Sequence, residues 1–221
     1  MSPSATSDSP ELAASPASSG VTELQNAVIR FAGNSQDGIQ TIGGLLARLA
    51  GRSSREVMTY MTIPSTISGG PSIFQVHLGS GEVLSAGDES DFLFAFYQHS
   101  YDSHIGSLRP GGICIYDTDN VQEVKTDLDA LHVGIPITSA TVEALGGSSR
   151  ERGKNLFALG LVTQIFKLNK EKVIGLVSKQ FGGKNEDVLR NAMLAFDAGF
   201  AYPVGDLLKV EYELQQGRGS A

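Results

Sequence analysis

The segment whose residue types best suit chemistry is a short polar loop between two glycines, Gly33 and Gly38. The four residues between these glycines all have polar side chains: Asn34, Ser35, Gln36 and Asp37. An apolar run precedes the loop and an apolar stripe with helical spacing follows it, so we expect the loop to join a strand to a helix. The start of a helix offers unpaired N–H groups and a positive dipole end, and glycine lets the backbone approach a ligand closely. We therefore expect a phosphate or a carboxylate to bind here.

The loop departs from the two common phosphate-binding motifs. Ser35 breaks the GxGxxG pattern, and Ile39-Gln40 replaces the Lys-Ser/Thr pair of a Walker A loop. A dinucleotide site also needs an acidic residue after the second strand, where residues 62–65 read Thr-Ile-Pro-Ser. These residues leave two interpretations open: an anion-binding loop, or a tight turn in which Asp37 caps the next helix.

The segments that position this loop alternate between strand and helix patterns. Apolar runs with strand character cover residues 26–32, 57–63, 73–78, 91–96, 113–116 and 131–135. Helical patterns cover residues 39–50, 97–108, 154–166, 170–181 and 185–200, and a Pro-Gly-Gly sequence at 110–112 is expected to stop the second helix. This order predicts an α/β fold, a mostly parallel doubly wound sheet flanked by helices, in a single domain.

Composition sets the predicted boundaries of that domain. Residues 1–22 are rich in Ser, Ala and Pro, which predicts a disordered N-terminal tail. We expect the domain to cover residues 23–205 and a C-terminal linker to cover residues 206–221. No run of 18 apolar residues and no signal-peptide pattern occurs, so we expect no membrane partner and a cytoplasmic location.

Charge and cysteine content exclude further classes of protein. The 221 residues carry a net charge of −7, which argues against a nucleic-acid partner. The single cysteine, Cys114, lies in an apolar run, and we expect a buried strand residue. One thiol cannot hold a four-thiolate iron–sulfur cluster, so any redox metal belongs to another chain. Four histidines lack the spacing of metal ligands, so no metal site is expected: His77, His99, His104 and His132.

Several separated motifs resemble one known family. The stretches GNSQDGIQTIGGLLARLA, MTIPSTISGGPSIFQVHLGSGEV, DFLFAF and RGKNLFALGLV follow one another in the order found in the gamma domain of 2-oxoacid:ferredoxin oxidoreductases. The resemblance runs from about residue 26 to residue 203 and includes that family's Asn-x-x-Ala-Leu-Gly signature. Its closest form is the gamma domain that opens the alpha subunit of 2-oxoglutarate:ferredoxin oxidoreductase. Pyruvate-type relatives commonly read Gly-Gly-Gln-Gly in the loop, whereas this chain reads Ser-Gln-Asp-Gly.

The resemblance implies a supporting domain in a larger enzyme. Such complexes decarboxylate a 2-oxoacid oxidatively to its acyl-coenzyme A and reduce ferredoxin, or run the reverse carboxylation. Thiamine diphosphate and 4Fe-4S clusters are implied on partner alpha and beta subunits or domains, with ferredoxin as the electron partner. Two Gly-Asp pairs, at residues 87–88 and 205–206, lack the second glycine of a thiamine diphosphate motif. We expect no catalytic residue in this chain.

Coenzyme A is the ligand that the resemblance implies at this domain. The Gly33–Gly38 loop is the first candidate for contact with it. The polar loop after the second strand adds five candidates: Ser65, Thr66, Ser68, Gly69 and Gly70. Lys154 and Asn155 precede the Leu-Phe-Ala-Leu-Gly helix and offer a charge and a donor. The alternatives are a flexible surface loop at residues 65–72 and a solvated charge at Lys154.

Two further functions stay open at this level. The chain could be a free-standing regulatory module that binds coenzyme A or a nucleotide. It could also be an NAD(P)-dependent enzyme, although the missing acid after the second strand argues against that function.

Overall fold

The structure is a computed structural model that describes residues 21–53, 55–62, 70–147, 153–183, 185–208 and 211–215. Eight strands occur in these ranges: β1 (Val21–Leu24), β2 (Asn26–Asn34), β3 (Glu56–Thr62), β4 (Pro71–Gly79), β5 (Ser90–Ala95), β6 (Leu108–Asp117), β7 (Ala130–Ile135) and β8 (Glu211–Leu214). Seven helices accompany them: α1 (Ile39–Gly51), α2 (Gln98–His104), α3 (Ile137–Ala144), α4 (Lys154–Ile165), α5 (Lys170–Phe181), α6 (Glu186–Ala201) and α7 (Val204–Leu208).

Six strands form the main sheet in the order β3-β4-β2-β5-β6-β7. The pairs β2–β5, β5–β6 and β6–β7 are parallel, whereas β4 is antiparallel to both β2 and β3. The predicted α/β fold with a mostly parallel sheet flanked by helices is confirmed. One consequence is that β4 separates β2 from β3, so the first two strands of the sheet do not form the adjacent pair of a dinucleotide-binding unit.

Helices cover the sheet unequally on its two faces. The larger core joins β-strand residues such as Phe31 and Phe94 to α1, α4, α5 and α6. Alternate residues of the same strands, such as Ala32 and Leu93, face a smaller core closed by α2. α4 is buried nearly all round, because α6, α1 and α3 pack around it. The predicted buried strand position of Cys114 is confirmed, and its side chain packs in the smaller core.

The sequence prediction was wrong for the helix at residues 97–108. α2 ends at His104, a 3-10 turn covers Ile105–Ser107, and β6 begins at Leu108. The Pro-Gly-Gly sequence therefore lies inside a strand and does not terminate a helix. Gly111 adopts a φ of 75° and donates its N–H to the Asp129 carbonyl, so backbone pairing overrides the local signal for a break.

Elements outside the predicted strands and helices also have regular structure, among them α3, β1 and β8. α3 follows Pro136 directly and buries only Ile137 and Thr141, so its apolar pattern was too short to detect. β1 and β8 pair in parallel as a separate two-stranded sheet. The predicted tail, residues 1–22, lies outside the described residues except for the first two residues of β1, and the division into tail, domain and linker stays a prediction. No helix in the described ranges combines the length and apolarity needed to cross a bilayer.

Candidate functional site

The Gly33–Gly38 loop lies at the carboxyl edge of the sheet, where two neighbouring strands diverge. β2 ends at Asn34, a 3-10 turn covers Ser35–Asp37, and α1 leads the chain onto one face. The adjacent β5 ends at Ala95, and α2 leads the chain onto the opposite face. A crevice opens at such a switch point, and ligands of doubly wound sheets bind there.

Asp37 fixes the conformation of this loop. Its Oδ2 accepts the Asn34 N–H at 2.9 Å, and its Oδ1 accepts the Tyr97 hydroxyl at 2.9 Å. The Asp37 carboxylate is 11% exposed, so water competes only weakly for these two hydrogen bonds. Asp37 thus caps the 3-10 turn and also ties the end of β2 to Tyr97, two residues after the end of β5.

Lys154 completes a buried chain of polar groups. Its Nζ donates to the Tyr97 hydroxyl at 2.8 Å, lies 3.8 Å from Asp37 Oδ1 and stands 4.5 Å from the centre of the Tyr97 ring. The Lys154 side chain is 1% exposed, so the alternative of a solvated charge is wrong. A charge at this depth is stable only when fixed partners surround it. The structure brings Lys154 to the predicted loop, because α4 begins beside the end of β2.

Tyr97 was not among the predicted site residues. Burial, the largest effect, raises the pKa of its hydroxyl, and the negative charge of Asp37 acts in the same direction. The bond from Lys154 opposes that rise. The hydroxyl therefore stays protonated near neutrality, accepting from Lys154 while it donates to Asp37. The signal that could have identified Tyr97 was its position just after a buried strand. The sequence pattern predicted that it belongs to a helix over residues 97–108.

Asn155 packs against the far end of the loop. Gly38 adopts a left-handed conformation, with φ of 72° and ψ of 27°, as it links the 3-10 turn to α1. A Cβ atom at Gly38 would overlap the side-chain amide of Asn155. Both the backbone angle and the close approach require glycine here, so the predicted neighbours Gly38 and Asn155 do meet.

The second predicted loop is described only at its ends. The Gly70 carbonyl accepts the Ser35 N–H at 3.2 Å, and Pro71 pairs with Asn34 across the strands. β3 ends at this same edge with Thr62, whose carbonyl accepts the Ser72 hydroxyl at 2.9 Å. Four of the candidates lie outside the described residues: Ser65, Thr66, Ser68 and Gly69.

The buried Arg30 of β2 has partners within the fold. Arg30 donates from Nε to Gln75 Oε1 at 2.6 Å, from Nη2 to the Asp88 carbonyl at 3.1 Å and from Nη1 to the Ser107 hydroxyl. Within the described ranges, no group of three or more His, Cys, Asp or Glu side chains has the arrangement of a metal site. Burial raises the pKa of the Cys114 thiol to about 12, so the thiolate that a metal or an electrophile requires does not form near neutrality.

Comparison with known proteins gives consistent matches. The family model described as pyruvate ferredoxin/flavodoxin oxidoreductase matches residues 28–202. The 2-oxoglutarate oxidoreductase subunit KorA of Mycobacterium tuberculosis is 31% identical over 204 residues, covering 81% of this chain and 31% of the relative. The ketoisovalerate oxidoreductase subunit VorA of Methanothermobacter marburgensis is 27% identical over 165 residues, covering 74% of this chain and 34% of the relative. The chain thus spans about a third of the length of these curated relatives.

Solved structures match the fold over most of the chain. The 2-oxoglutarate:ferredoxin oxidoreductase of Magnetococcus marinus, solved with 2-oxoglutarate, coenzyme A and succinyl-CoA bound, superposes with a TM-score of 0.77 at 27% identity. The match covers 89% of this chain and 34% of that one. The gamma subunit of a keto/oxoacid ferredoxin oxidoreductase from Geobacter sulfurreducens shares the fold at 22% identity, with a TM-score of 0.69, over 81% of this chain and 97% of that subunit.

Proposed function

Because the chain belongs to the pyruvate ferredoxin/flavodoxin oxidoreductase family, we propose that it is the gamma-type part of a cytoplasmic 2-oxoacid:ferredoxin oxidoreductase. The proposed complex decarboxylates a 2-oxoacid oxidatively, transfers the acyl group to coenzyme A and passes two electrons to ferredoxin, or runs this reaction in reverse. The proposed substrate is 2-oxoglutarate, since KorA and the Magnetococcus marinus enzyme carry that substrate in their names.

The observation that carries the proposal is the internally braced loop at the switch point of the sheet. Asp37 and Lys154 are 11% and 1% exposed and both bond to the Tyr97 hydroxyl, so a substrate cannot reach either side chain without rearrangement. The raised pKa of Tyr97 keeps its hydroxyl protonated, so we assign none of the three a role as nucleophile or general base. What remains accessible is the polar surface of the loop, with Gln36 exposed and both Asn34 and Ser35 partly exposed. This arrangement supports non-covalent contact with a ligand and argues for a binding wall without chemistry of its own.

The residues of this chain do not suit the redox groups of the proposed complex. An iron–sulfur cluster needs several thiolates, whereas Cys114 is the one cysteine and is fully buried. Gly87-Asp88 lies between β4 and β5, where Gly87 has a φ of 84°, and Gly205-Asp206 lies in α7. We assign thiamine diphosphate, which supplies carbanion chemistry when bound, and the clusters to partner alpha and beta subunits.

Coenzyme A suits the loop better, because its phosphates are the class of ligand that a helix start attracts. α1 begins at Ile39, and the loop before it supplies amide and hydroxyl groups. In this proposal Asn34, Ser35 and Gln36 contact the phosphate-bearing half of coenzyme A. Asn155 and Gly38 hold the end of the loop against α4.

The test combines co-purification with an activity assay. We expect the chain purified from its native cells to bring thiamine diphosphate-binding and iron–sulfur chains with it. The complex should reduce methyl viologen only with 2-oxoglutarate and coenzyme A present, whereas the isolated chain should show no reduction. Gln36→Ala should raise the KM for coenzyme A roughly threefold to tenfold in the complex, as expected for loss of one or two exposed polar contacts.

Gln180→Ala is the matched control, since Gln180 is an exposed glutamine on α5 that bonds Arg48. It should leave the KM for coenzyme A unchanged. Viologen reduction by the isolated chain, or recovery of a lone monomer under mild conditions, would contradict the proposal.

A further inference from the structure

The proposed anion-facing loop contains a carboxylate of its own. The loop requires Asp37, because its Oδ2 accepts a hydrogen bond from the Asn34 N–H and thereby shapes the 3-10 turn. A negative charge beside a bound phosphate disfavours that phosphate, and the effect is strong where burial lowers the local dielectric. The same group that builds the loop therefore opposes its ligand unless a cation compensates.

Lys154 is placed to supply that compensation from beneath the loop. Its Nζ lies 3.8 Å from Asp37 Oδ1, and the Tyr97 hydroxyl bridges the two groups with bonds of 2.8 and 2.9 Å. Lys154 is the first residue of α4 and is 1% exposed, so a ligand in the crevice cannot reach it without rearrangement. Its charge therefore acts on the ligand through Asp37, and direct contact is not required.

We propose that Lys154 and Tyr97 are positioning residues for coenzyme A, which neutralise Asp37 so that the loop can both keep its shape and accept an anion. This inference rests on the proposed function. It adds a role for two residues that do not touch the ligand, and it explains why a lysine is buried at the start of α4.

Charge-removing variants separate this role from a merely structural one. Lys154→Met keeps most of the length of the side chain without its charge and leaves Asp37 uncompensated, so the KM for coenzyme A in the assembled complex should rise about tenfold or more, with a much smaller effect on kcat. Asp37→Asn combined with Lys154→Met removes both charges and keeps an oxygen acceptor for the Asn34 N–H. The double variant should recover most of the lost affinity, to within about threefold of the wild type.

Lys170→Met is the matched control. Lys170 also pairs with a carboxylate, Asp197 at 2.9 Å, and also stands over an aromatic ring, that of Phe200 at 4.4 Å, but its side chain is 39% exposed. Its replacement should leave the KM for coenzyme A unchanged. Tyr97→Phe keeps the ring and removes only the bridging hydroxyl, so it should raise that KM by an intermediate factor, and it provides the test if Lys154→Met fails to fold.

The outcomes distinguish this inference from the proposed function. If the wild-type complex turns over without coenzyme A, the proposed function is wrong. If the wild type depends on coenzyme A but Lys154→Met and Tyr97→Phe leave its KM unchanged, the positioning role is wrong. If the double variant is as impaired as Lys154→Met alone, Lys154 acts by some means other than neutralising Asp37.

Discussion

At the scale of single residues, the buried polar groups of this chain are organised in short chains of donors and acceptors. Tyr97 links Lys154 to Asp37, and Tyr101 plays a comparable part on the other face of the sheet. The Tyr101 hydroxyl accepts the Lys125 N–H at 2.8 Å and lies 2.8 Å from His132 Nε2. In the tautomer whose Nε2 carries no proton, His132 is neutral and accepts the proton of the Tyr101 hydroxyl.

This arrangement predicts a pH-dependent contribution to stability. Burial is the largest cause that lowers the pKa of His132, whereas an unfolded histidine titrates near about 6.5. The unfolded state therefore gains the proton first, and stability is lost as pH falls from about 6.5 toward the lower folded pKa. His132→Gln keeps an acceptor that does not titrate, so its thermal midpoint should fall less than that of the wild type between pH 7.5 and 5.5, by about 1–2 °C. Equal losses in the two proteins would show that His132 does not carry this dependence.

At the scale of elements, close approach of backbones decides how the helices cover the sheet. α4 and α6 meet at Gly160 and Gly199, where added Cβ atoms would overlap the opposing backbone. α1 approaches β4 in a similar way, because Gly43 faces the ring of Phe74. The next residue, Gly44, has no neighbour near its missing Cβ. Close packing against Phe74 therefore requires glycine at position 43, whereas no such contact requires it at position 44.

The glycine pair of α1 supplies a test of that difference. Gly43→Ala forces the Phe74 ring to move, so we expect a loss of about 1–3 kcal/mol in the free energy of unfolding. Gly44→Ala meets open space within the helix and should add about 0.5–1 kcal/mol by reducing the freedom of the unfolded chain. Chemical denaturation of both variants measures this opposition in sign. Equal effects would mean that the Phe74 side chain yields without cost.

At the scale of the whole molecule, the two ends of the described chain meet in the β1–β8 pair. β8 packs against the edge of the larger core, where Leu214 is buried and the Tyr212 ring meets Phe92 edge-on at 5.3 Å. Arg55 secures the end of β8 through bonds to the carbonyls of Leu214 and Gln215 at 2.8 and 3.0 Å. These contacts make the C-terminal strand part of the structural unit.

Shortening the chain tests this integration. A variant that ends at Leu208 loses the buried surface of Leu214 and Tyr212, and we expect its free energy of unfolding to fall by about 3–5 kcal/mol. A variant that ends at Gln215 keeps β8 and every contact described for it, so it should match the full chain. If the variant that ends at Leu208 denatures like the full chain, β8 does not contribute measurably to the free energy of unfolding.

The sequence by itself determined the α/β class, most strand and helix positions, and the loop that forms the candidate site. Apolar periodicity is a local property of the sequence. It is visible in these segments because each of them buries one face. Tertiary structure alone decided that β4 lies between β2 and β3, that β6 continues through Pro-Gly-Gly, and that β1 pairs with β8. Strand pairing joins residues far apart in sequence, so no local pattern encodes it.

The candidate site divides in the same way. Lys154 and the Gly33–Gly38 loop were identifiable from residue type and from the resemblance, but Tyr97 and the burial of Lys154 were not. The bridge between Asp37 and Lys154 depends on β5 lying beside β2 and on α4 beginning above their junction. The role of a charged residue such as Lys154 depends on how deeply it is buried and on which groups it contacts. Only the packing of the strands against α4 determines both properties here.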